Sequence, residues 1–315
     1  MTAAEAEAGS GNYRGRFAPS PTGPLHFGSL IAAVGSFLEA RRHGGEWLVR
    51  IDDIDPDREQ PGAADSILRT LERFGLRSDG PVVFQSRRRA AYDDALEHLR
   101  DRGAIFPCGC TRKEVLRLGR PGVNGILYPG TCRDGLPPGR QARTWRARAT
   151  GRIRFEDDFQ GPVDCDLASD IGDFLVQRAD DWPAYHLAAA VDDAASGITH
   201  VVRGHDLLPC TPPQLLLLDH LDAPAPRYGH LPVAVNLEGR KLSKQNRAQP
   251  LDDSTPAPLL HAALVFLCQH PPPALARGTV DDLWAWAREH WDPAPLRGRR
   301  EAPSPIHDEQ RSRQE

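Results

Sequence analysis

The sequence predicts an α/β protein: a mainly parallel sheet wrapped by helices, split by a cysteine-containing insertion and followed by a short helical region. Three observations carry this. Between residues 15 and 105, compact apolar strands alternate with amphipathic helices, the pattern of strand–helix–strand units. The rhythm stops at Phe106, gives way to a stretch rich in Gly, Pro, Arg and Asp, and resumes after Pro183. From residue 256 to 291 the patterning is helical only.

Residues 15–18 read as a short strand entering a Pro/Gly-rich loop. Ser29 is placed to cap the next helix, whose apolar positions Leu30, Ile31, Val34, Phe37 and Leu38 recur at helical spacing before a stop at Gly44. Residues 46–51 form an apolar strand, and 62–74 a helix through Ile67, Leu68, Leu71 and Phe74 that ends at Gly75. Residues 82–85 are strand-like, and 88–102 are helical through Tyr92, Leu96 and Leu99, ending at Gly103. Inside the insertion only 144–149 reads as strand. After Pro183 come a helix, a strand at 198–202, a leucine-rich helix at 213–221 and a strand at 231–236. Thr279 followed by Asp282 forms a variant capping box. The resulting plan is a disordered leader at 1–14, the first half of the sheet domain at 15–105, the insertion at 106–182, the second half at 183–245, a helical region at 246–292 and a disordered tail at 293–315.

The chain has 315 residues, 40% of them apolar, enough for a sizeable core. A net charge of −4 excludes a global positive field, so any polyanion must be held by a local basic surface. No run approaches the roughly 20 apolar residues of a membrane helix. Residues 1–15 lack the basic flank and apolar run of a signal peptide. The expected location is the cytoplasm, where the six cysteines stay reduced.

Two separated segments carry the chemistry. In the first, the loop Pro19-Ser20-Pro21-Thr22-Gly23-Pro24-Leu25-His26-Phe27-Gly28-Ser29 leads into a helix. A helix start offers unpaired N–H groups and partial positive charge to phosphate. Gly28 lets the backbone approach a nucleotide closely, and His26 can donate to phosphate oxygens as charge builds. In the second, Lys241-Leu242-Ser243-Lys244-Gln245 sets two lysines on a polar loop. Alone, each reads as an ordinary loop. Together and in this order they suit a site that activates a carboxylate with ATP, with Lys241 and Lys244 neutralising the pentavalent α-phosphate.

Both segments resemble signatures of class I aminoacyl-tRNA synthetases. His26-Phe27-Gly28-Ser29 is similar to the HIGH motif and Lys241-Leu242-Ser243-Lys244-Gln245 to KMSKS, each departing from consensus at its last position. The segments from Arg16 to Gly23 and from Arg50 to Asp55 narrow the resemblance to the glutamyl branch, over about residues 15–253. It implies a Rossmann-type catalytic domain, with His26, Lys241 and Lys244 as catalytic groups and His26, Gly28, Ser29 and Lys244 binding ATP accompanied by Mg2+.

Glutamate carries two carboxylates and an ammonium, and the planar fork of arginine selects carboxylate. Arg16 and Arg203 both stand where strands end, the place where open α/β sheets bind ligands. By resemblance the glutamate site comprises Arg16, Phe17, Ala18, Pro19, Ser20, Asp52, Tyr185 and Arg203. The two arginines contact the substrate, Ser20 assists, Tyr185 lines the pocket and Asp52 takes the ammonium. Residue 52 is usually Glu in the family, so the side chain here is one methylene shorter.

Cys108, Cys110 and Cys132 place three thiolates in a Gly/Pro-rich stretch, a donor set that suits one structural zinc ion. No histidine lies nearby, and chemistry alone leaves the fourth ligand open. The resemblance supplies Tyr128. Cys165, Cys210 and Cys268 read as core or incidental thiols.

Only about seventy residues follow Gln245, too few for the large helical anticodon reader of a glutamyl-tRNA synthetase. This truncation, the Cys-x-Cys…Tyr-x3-Cys cluster and the lysine loop resemble the shortened members of the branch. Those members glutamylate queuosine, the modified wobble base of tRNA(Asp), rather than a 3′ end, and a monomer is expected here. Splayed bases of single-stranded loops are the usual targets of specific RNA recognition. The partners implied are ATP, L-glutamate and the queuosine-bearing anticodon loop of tRNA(Asp). Seven arginines between positions 133 and 154, and three at 87–89, could neutralise phosphate locally or balance the acids at 156–158 and 164–170. Two competing readings are a paralogue that charges a 3′ end and an RNA-binding relative without catalysis.

Overall fold

The computed structural model describes residues 13–123, 125–236 and 249–306. The first half follows the expected alternation: β1 (Arg14–Phe17), α1 (Phe27–Arg42), β2 (Glu46–Ile51), α2 (Ala63–Arg73), β3 (Val83–Phe84) and α3 (Arg89–Asp101). The three strands are parallel, in the order β1-β2-β3. Trp47, fully buried, stacks on Phe17, meets Phe37 edge-on and donates its indole N–H to Ser36 at 3.0 Å. A side chain of this kind, once buried, contributes about 1.5–3 kcal/mol. One detail differs from expectation: α1 starts at Phe27, and its N-cap is His26 rather than Ser29. His26 is extended, and its ring takes the capping role usually filled by a small polar side chain.

The insertion holds more structure than its sequence suggested: β4 (Ile105–Cys108), α4 (Arg112–Leu118), β5 (Arg120–Gly122), β6 (Gly125–Leu127), β7 (Thr144–Ala147), β8 (Arg152–Asp157), β9 (Gly161–Asp166) and β10 (Phe174–Gln177). β4, β7 and β10 make an antiparallel sheet in the order β10-β7-β4. Thr111 and Glu114 cap α4 reciprocally. The β8–β9 hairpin does not stay within the insertion. It joins β11 (His200–Gly204) and β12 (Arg227–Leu231) in a four-stranded sheet, β11-β12-β8-β9. The buried carboxylate of Asp157 makes that junction by accepting the N–H groups of Phe159, Gln160 and His230 at 2.9–3.1 Å.

The second half contains α5 (Tyr185–Ala195), β11, α6 (Thr211–His220), β12 and β13 (Val233–Val235). The strand expected at 231–236 is β13, at 233–235; β12, at 227–231, was not expected, and Pro232, which has no N–H to continue a ladder, separates the two. Arg14 and Thr199 exchange hydrogen bonds at 2.8 and 2.9 Å, so β1 runs beside β11 and the two halves of the parallel layer meet. α1 lies tight against that layer: a Cβ on Gly35 would stand 2.4 Å from Leu231.

The helical region supplies α7 (Pro256–Phe266) and α8 (Val280–His290), the latter capped by Thr279 and Asp282 as expected. Trp284 donates to the carbonyl of Phe74 at 2.7 Å and Trp291 to Glu39 at 2.6 Å, fastening the region to the back of the first half. The tail corrects the expectation of disorder from residue 293. It forms β14 (Glu301–Pro303), parallel to β13. No helix among the described residues is long and apolar enough to cross a membrane.

Candidate active site

A cavity of about 330 Å³ opens at the carboxyl ends of the parallel strands. Phe17, Ala18, Pro19 and Ser20 line it from the end of β1, and His26, Gly28 and Ser29 from the start of α1. Gly204 and Leu207 line it after β11, and Val233 and Ala234 from β13. Of the expected site residues, Phe17 to Ser20 and His26, Gly28 and Ser29 line this crevice, while Arg16, Asp52, Tyr185 and Arg203 are not among its lining residues. His26 Nδ1 accepts the Ser29 N–H at 3.4 Å, which sets the ring proton on Nε2, a donor suited to phosphate. The first turn of α1 carries no acidic residue to compete for an anion.

Lys241 and Lys244 lie outside the described residues, within 237–248. The two flanks of that segment are described, and both stand at the crevice. Ala234 lines it on one side. On the other, Pro250 bridges to His26, and the Leu251 N–H donates to the Leu25 carbonyl at 2.9 Å.

Beneath the loop lies a buried ionic network. Arg16 is 4% exposed and grips Asp193 through Nε and Nη2 at 3.1 and 3.2 Å. Arg50 reaches the same Asp193 at 2.5 Å and Asp52 at 2.7 Å. Burial disfavours the Asp193 carboxylate, but Arg16 and Arg50 overcome it and hold its pKa below the ordinary value. At Asp52 burial prevails over Arg50 and raises the pKa, so an arriving ammonium would stabilise its charged form. The Asp52 N–H donates to the Pro19 carbonyl at 3.0 Å and seats residue 52 under the loop. Asp192 closes the network, accepting from Gln85, Tyr92 and Arg88.

Arg203 is different. Also 4% exposed, it donates to His230, Gln214, Thr211, the Leu207 carbonyl and the Tyr185 hydroxyl at 2.8–3.4 Å. Every partner is neutral among the described residues, so its charge is left for an arriving anion. Tyr185 is 37% exposed and begins α5, the helix that also carries Asp192 and Asp193. Sequence reasoning assigned no role to Arg50, Asp192, Asp193, Gln214 or His230. One signal was present: two acids near the C-terminus of α5 oppose the helix dipole, which points to a tertiary partner.

The cysteine cluster forms a second centre. The sulfurs of Cys108, Cys110 and Cys132 lie within 4.8 Å of one another. Cys110 and Cys132 are 3.7 Å apart, and the Tyr128 hydroxyl is 3.3 and 3.5 Å from Cys108 and Cys110. A tetrahedral zinc with Zn–S near 2.3 Å and Zn–O near 2.0 Å sets such ligands about 3.5–3.8 Å apart. The donor set therefore fits that ion in type and spacing. Gly109 is required here, since a Cβ would meet Arg140 at 2.4 Å. Burial works against the Cys108 thiolate, but hydrogen bonds from Tyr128, the Cys110 backbone and Arg146 bring its pKa down to about 7.

A separate, larger cavity of about 740 Å³ lies beside the cysteine cluster, lined among others by Cys110, Arg143, Arg146, Phe174, Arg178, Tyr185 and His186. Most of the insertion's arginines are already engaged. Arg133 pairs with Asp173, Arg140 with Glu114, and Arg152 and Arg154 with Asp164. The charge-balancing reading holds at Arg152 and Arg154, whereas Arg133 and Arg140 pair with acids outside 156–158 and 164–170.

Residues 12–125 and 139–256 match a family model described as tRNA synthetases class I (E and Q), catalytic domain. The glutamyl-Q tRNA(Asp) synthetase of Aromatoleum aromaticum is 57% identical over 279 residues, spanning 89% of each chain. The proteins of that name from Dechloromonas aromatica and Chromobacterium violaceum are 56% and 54% identical over 89% of this chain and 94% and 93% of theirs. A glutamate-tRNA synthetase structure from Elizabethkingia anophelis superposes with a TM-score of 0.76 at 24% identity, over 95% of this chain and 69% of that one. The glutamate tRNA ligase of Elizabethkingia meningosepticum, solved with its amino acid, gives 0.75 at 24% over 93% and 67%. These two carry the fold.

Proposed function

The chain belongs to the class I tRNA synthetases of the glutamyl and glutaminyl type, and on that footing we propose that it activates L-glutamate with ATP and transfers it to queuosine of tRNA(Asp). The observation that carries the reading is the shared crevice: the N-terminus of α1, capped by His26, and the loop after Arg203 line one cavity. A triphosphate fits the first and a carboxylate the second.

In the first step the α-carboxylate of glutamate attacks the α-phosphorus of ATP in line, and pyrophosphate leaves. Arg203 and Arg16 orient the substrate, Asp52 takes its ammonium, and Ser20 and Tyr185 complete the pocket. His26, Lys241 and Lys244 stabilise the charge that develops on phosphate, so catalysis is by position and field. Mg2+ enters with ATP. In the second step a hydroxyl of the queuosine cyclopentenediol attacks the adenylate carbonyl and AMP departs. The cavity beyond Tyr185, with Arg143, Arg146 and Arg178 on its walls, is large enough to admit a splayed base. Cys108, Cys110, Tyr128 and Cys132 hold one structural zinc, with no position left open for catalysis. The site of action is the cytoplasm, where tRNA and ATP meet.

Glutamate-dependent ATP–pyrophosphate exchange tests the first step, and transfer of labelled glutamate to queuosine-containing tRNA(Asp) tests the second. Exchange without transfer to tRNA(Asp), together with robust charging of unmodified tRNA(Glu), would sink the proposal in favour of a 3′-end enzyme. No exchange at all would favour a non-catalytic relative.

A further inference from the structure

Arg203 needs its orientation fixed without losing its charge, and the structure contains a device that does this. His230 Nε2 lies 3.1 Å from Arg203 Nε, while Nδ1 lies 2.5 Å from Asp157 Oδ2. His230, Asp157 and Arg203 are 0, 1 and 4% exposed. A guanidinium can only donate, so Nε2 must be the acceptor, and the ring proton sits on Nδ1 and is given to Asp157. The other oxygen of Asp157 is held by three backbone N–H groups. A chain of fixed direction therefore runs from Arg203 through His230 to an immobile carboxylate.

We propose that His230, anchored by Asp157, is a positioning residue that sets the Arg203 guanidinium for the glutamate carboxylate. The inference rests on the reading that Arg203 binds glutamate. A carboxylate in place of the imidazole would also accept from Nε, but it would neutralise Arg203 and compete with the substrate. A neutral ring satisfies the donor and leaves the charge available, with the negative group one ring-width away. Burial, and the nearby charge of Arg203, pull the His230 pKa down to about 4 against the pull of Asp157. The ring stays neutral at physiological pH, as the arrangement needs. His205, the remaining titratable neighbour acting on it, pulls the same way.

The test uses two substitutions in the full chain. In His230→Asn the amide can still reach Asp157, but nothing stands where Nε2 was. In His230→Gln the amide oxygen reaches toward that position. In ATP–pyrophosphate exchange, His230→Asn is expected to raise the KM for glutamate about tenfold or more, as for loss of a hydrogen bond to a charged group. The KM for ATP should stay within about twofold, and His230→Gln should restore most of the glutamate KM. A structural role alone would lower the active fraction and the melting temperature and leave that split absent. A folded His230→Asn with a wild-type glutamate KM overturns the inference alone. If His230→Asn does not fold, a tenfold rise in glutamate KM in His230→Gln overturns it. A wild-type protein without glutamate-dependent exchange overturns the functional reading and this inference with it.

Discussion

Asp193 supports two arginines at once, Arg16 and Arg50, with all three side chains buried. Its removal would leave two buried guanidinium groups with Asp52 and Asp192 as their only described carboxylate neighbours. Asp193→Asn is therefore expected to destabilise the protein by about 3–5 kcal/mol in urea denaturation, the range for breaking a buried ion pair. A loss below about 1 kcal/mol would contradict the network. Arg16 stood out in the sequence because a strand-terminal Arg before a ligand loop has a simple chemical reason; Arg50 did not. Nor did Asp193: its partners lie 177 and 143 positions away, and on an alanine-rich helix it resembles a solvated acid. The cysteine cluster was legible from the type and nearness of the residues in sequence, and the fold brings the three sulfurs within 4.8 Å of one another. Cys110→Ser is expected to lower the zinc content of the purified protein, read by elemental analysis; unchanged zinc would place the metal elsewhere.

Helices with clear apolar spacing, α1, α2 and α3, fall within a few residues of their expected bounds. Short strands do not announce themselves as well. β8 reads Arg-Ile-Arg-Phe-Glu-Asp, an alternation of period two that marks a half-buried strand, yet its charge and its place in an Arg/Asp-rich stretch obscured it. β14 has only three residues in a Pro- and Arg-rich tail, and its stability comes from pairing with β13 rather than from its own composition. The Val233 N–H donates to Arg300, and the Val235 carbonyl accepts from Ser304. Removing residues 299–315 should speed hydrogen exchange at the Val233 amide and lower the melting temperature. β13 lines the crevice immediately before the lysine segment, so the exchange activity should fall as well. Unaltered protection at Val233 would show that the tail does not hold that strand.

Across the whole molecule, acid sensitivity follows from desolvated imidazoles, one buried and two partly buried. His186, His200 and His230 are each pulled from 6.5 to about 4, chiefly by burial. Between these values the unfolded chain binds more protons than the native one, so stability rises with pH there and is lost as pH falls from 6.5 toward 4. The lowered carboxylates of Asp157 and Asp193 extend the loss to still lower pH, through their folded values. Urea denaturation across this window should show that slope, with little change above pH 6.5 from these histidines; a flat profile would contradict their desolvation as neutral rings. At this scale the α/β plan, with its parallel strands and the helices between them, was readable, because it depends on local pattern and order; the lysine loop lies outside the described residues. The ionic floor and the Asp157–His230–Arg203 chain were not readable, because they depend on which distant strands become neighbours.

The most direct test of the whole account is mass spectrometry of anticodon-loop digests from queuosine-containing tRNA(Asp) incubated with the protein, glutamate and ATP. The account predicts that queuosine gains one glutamyl group only when all three are present. Unmodified queuosine, with glutamate found instead on a 3′-terminal adenosine, would contradict it.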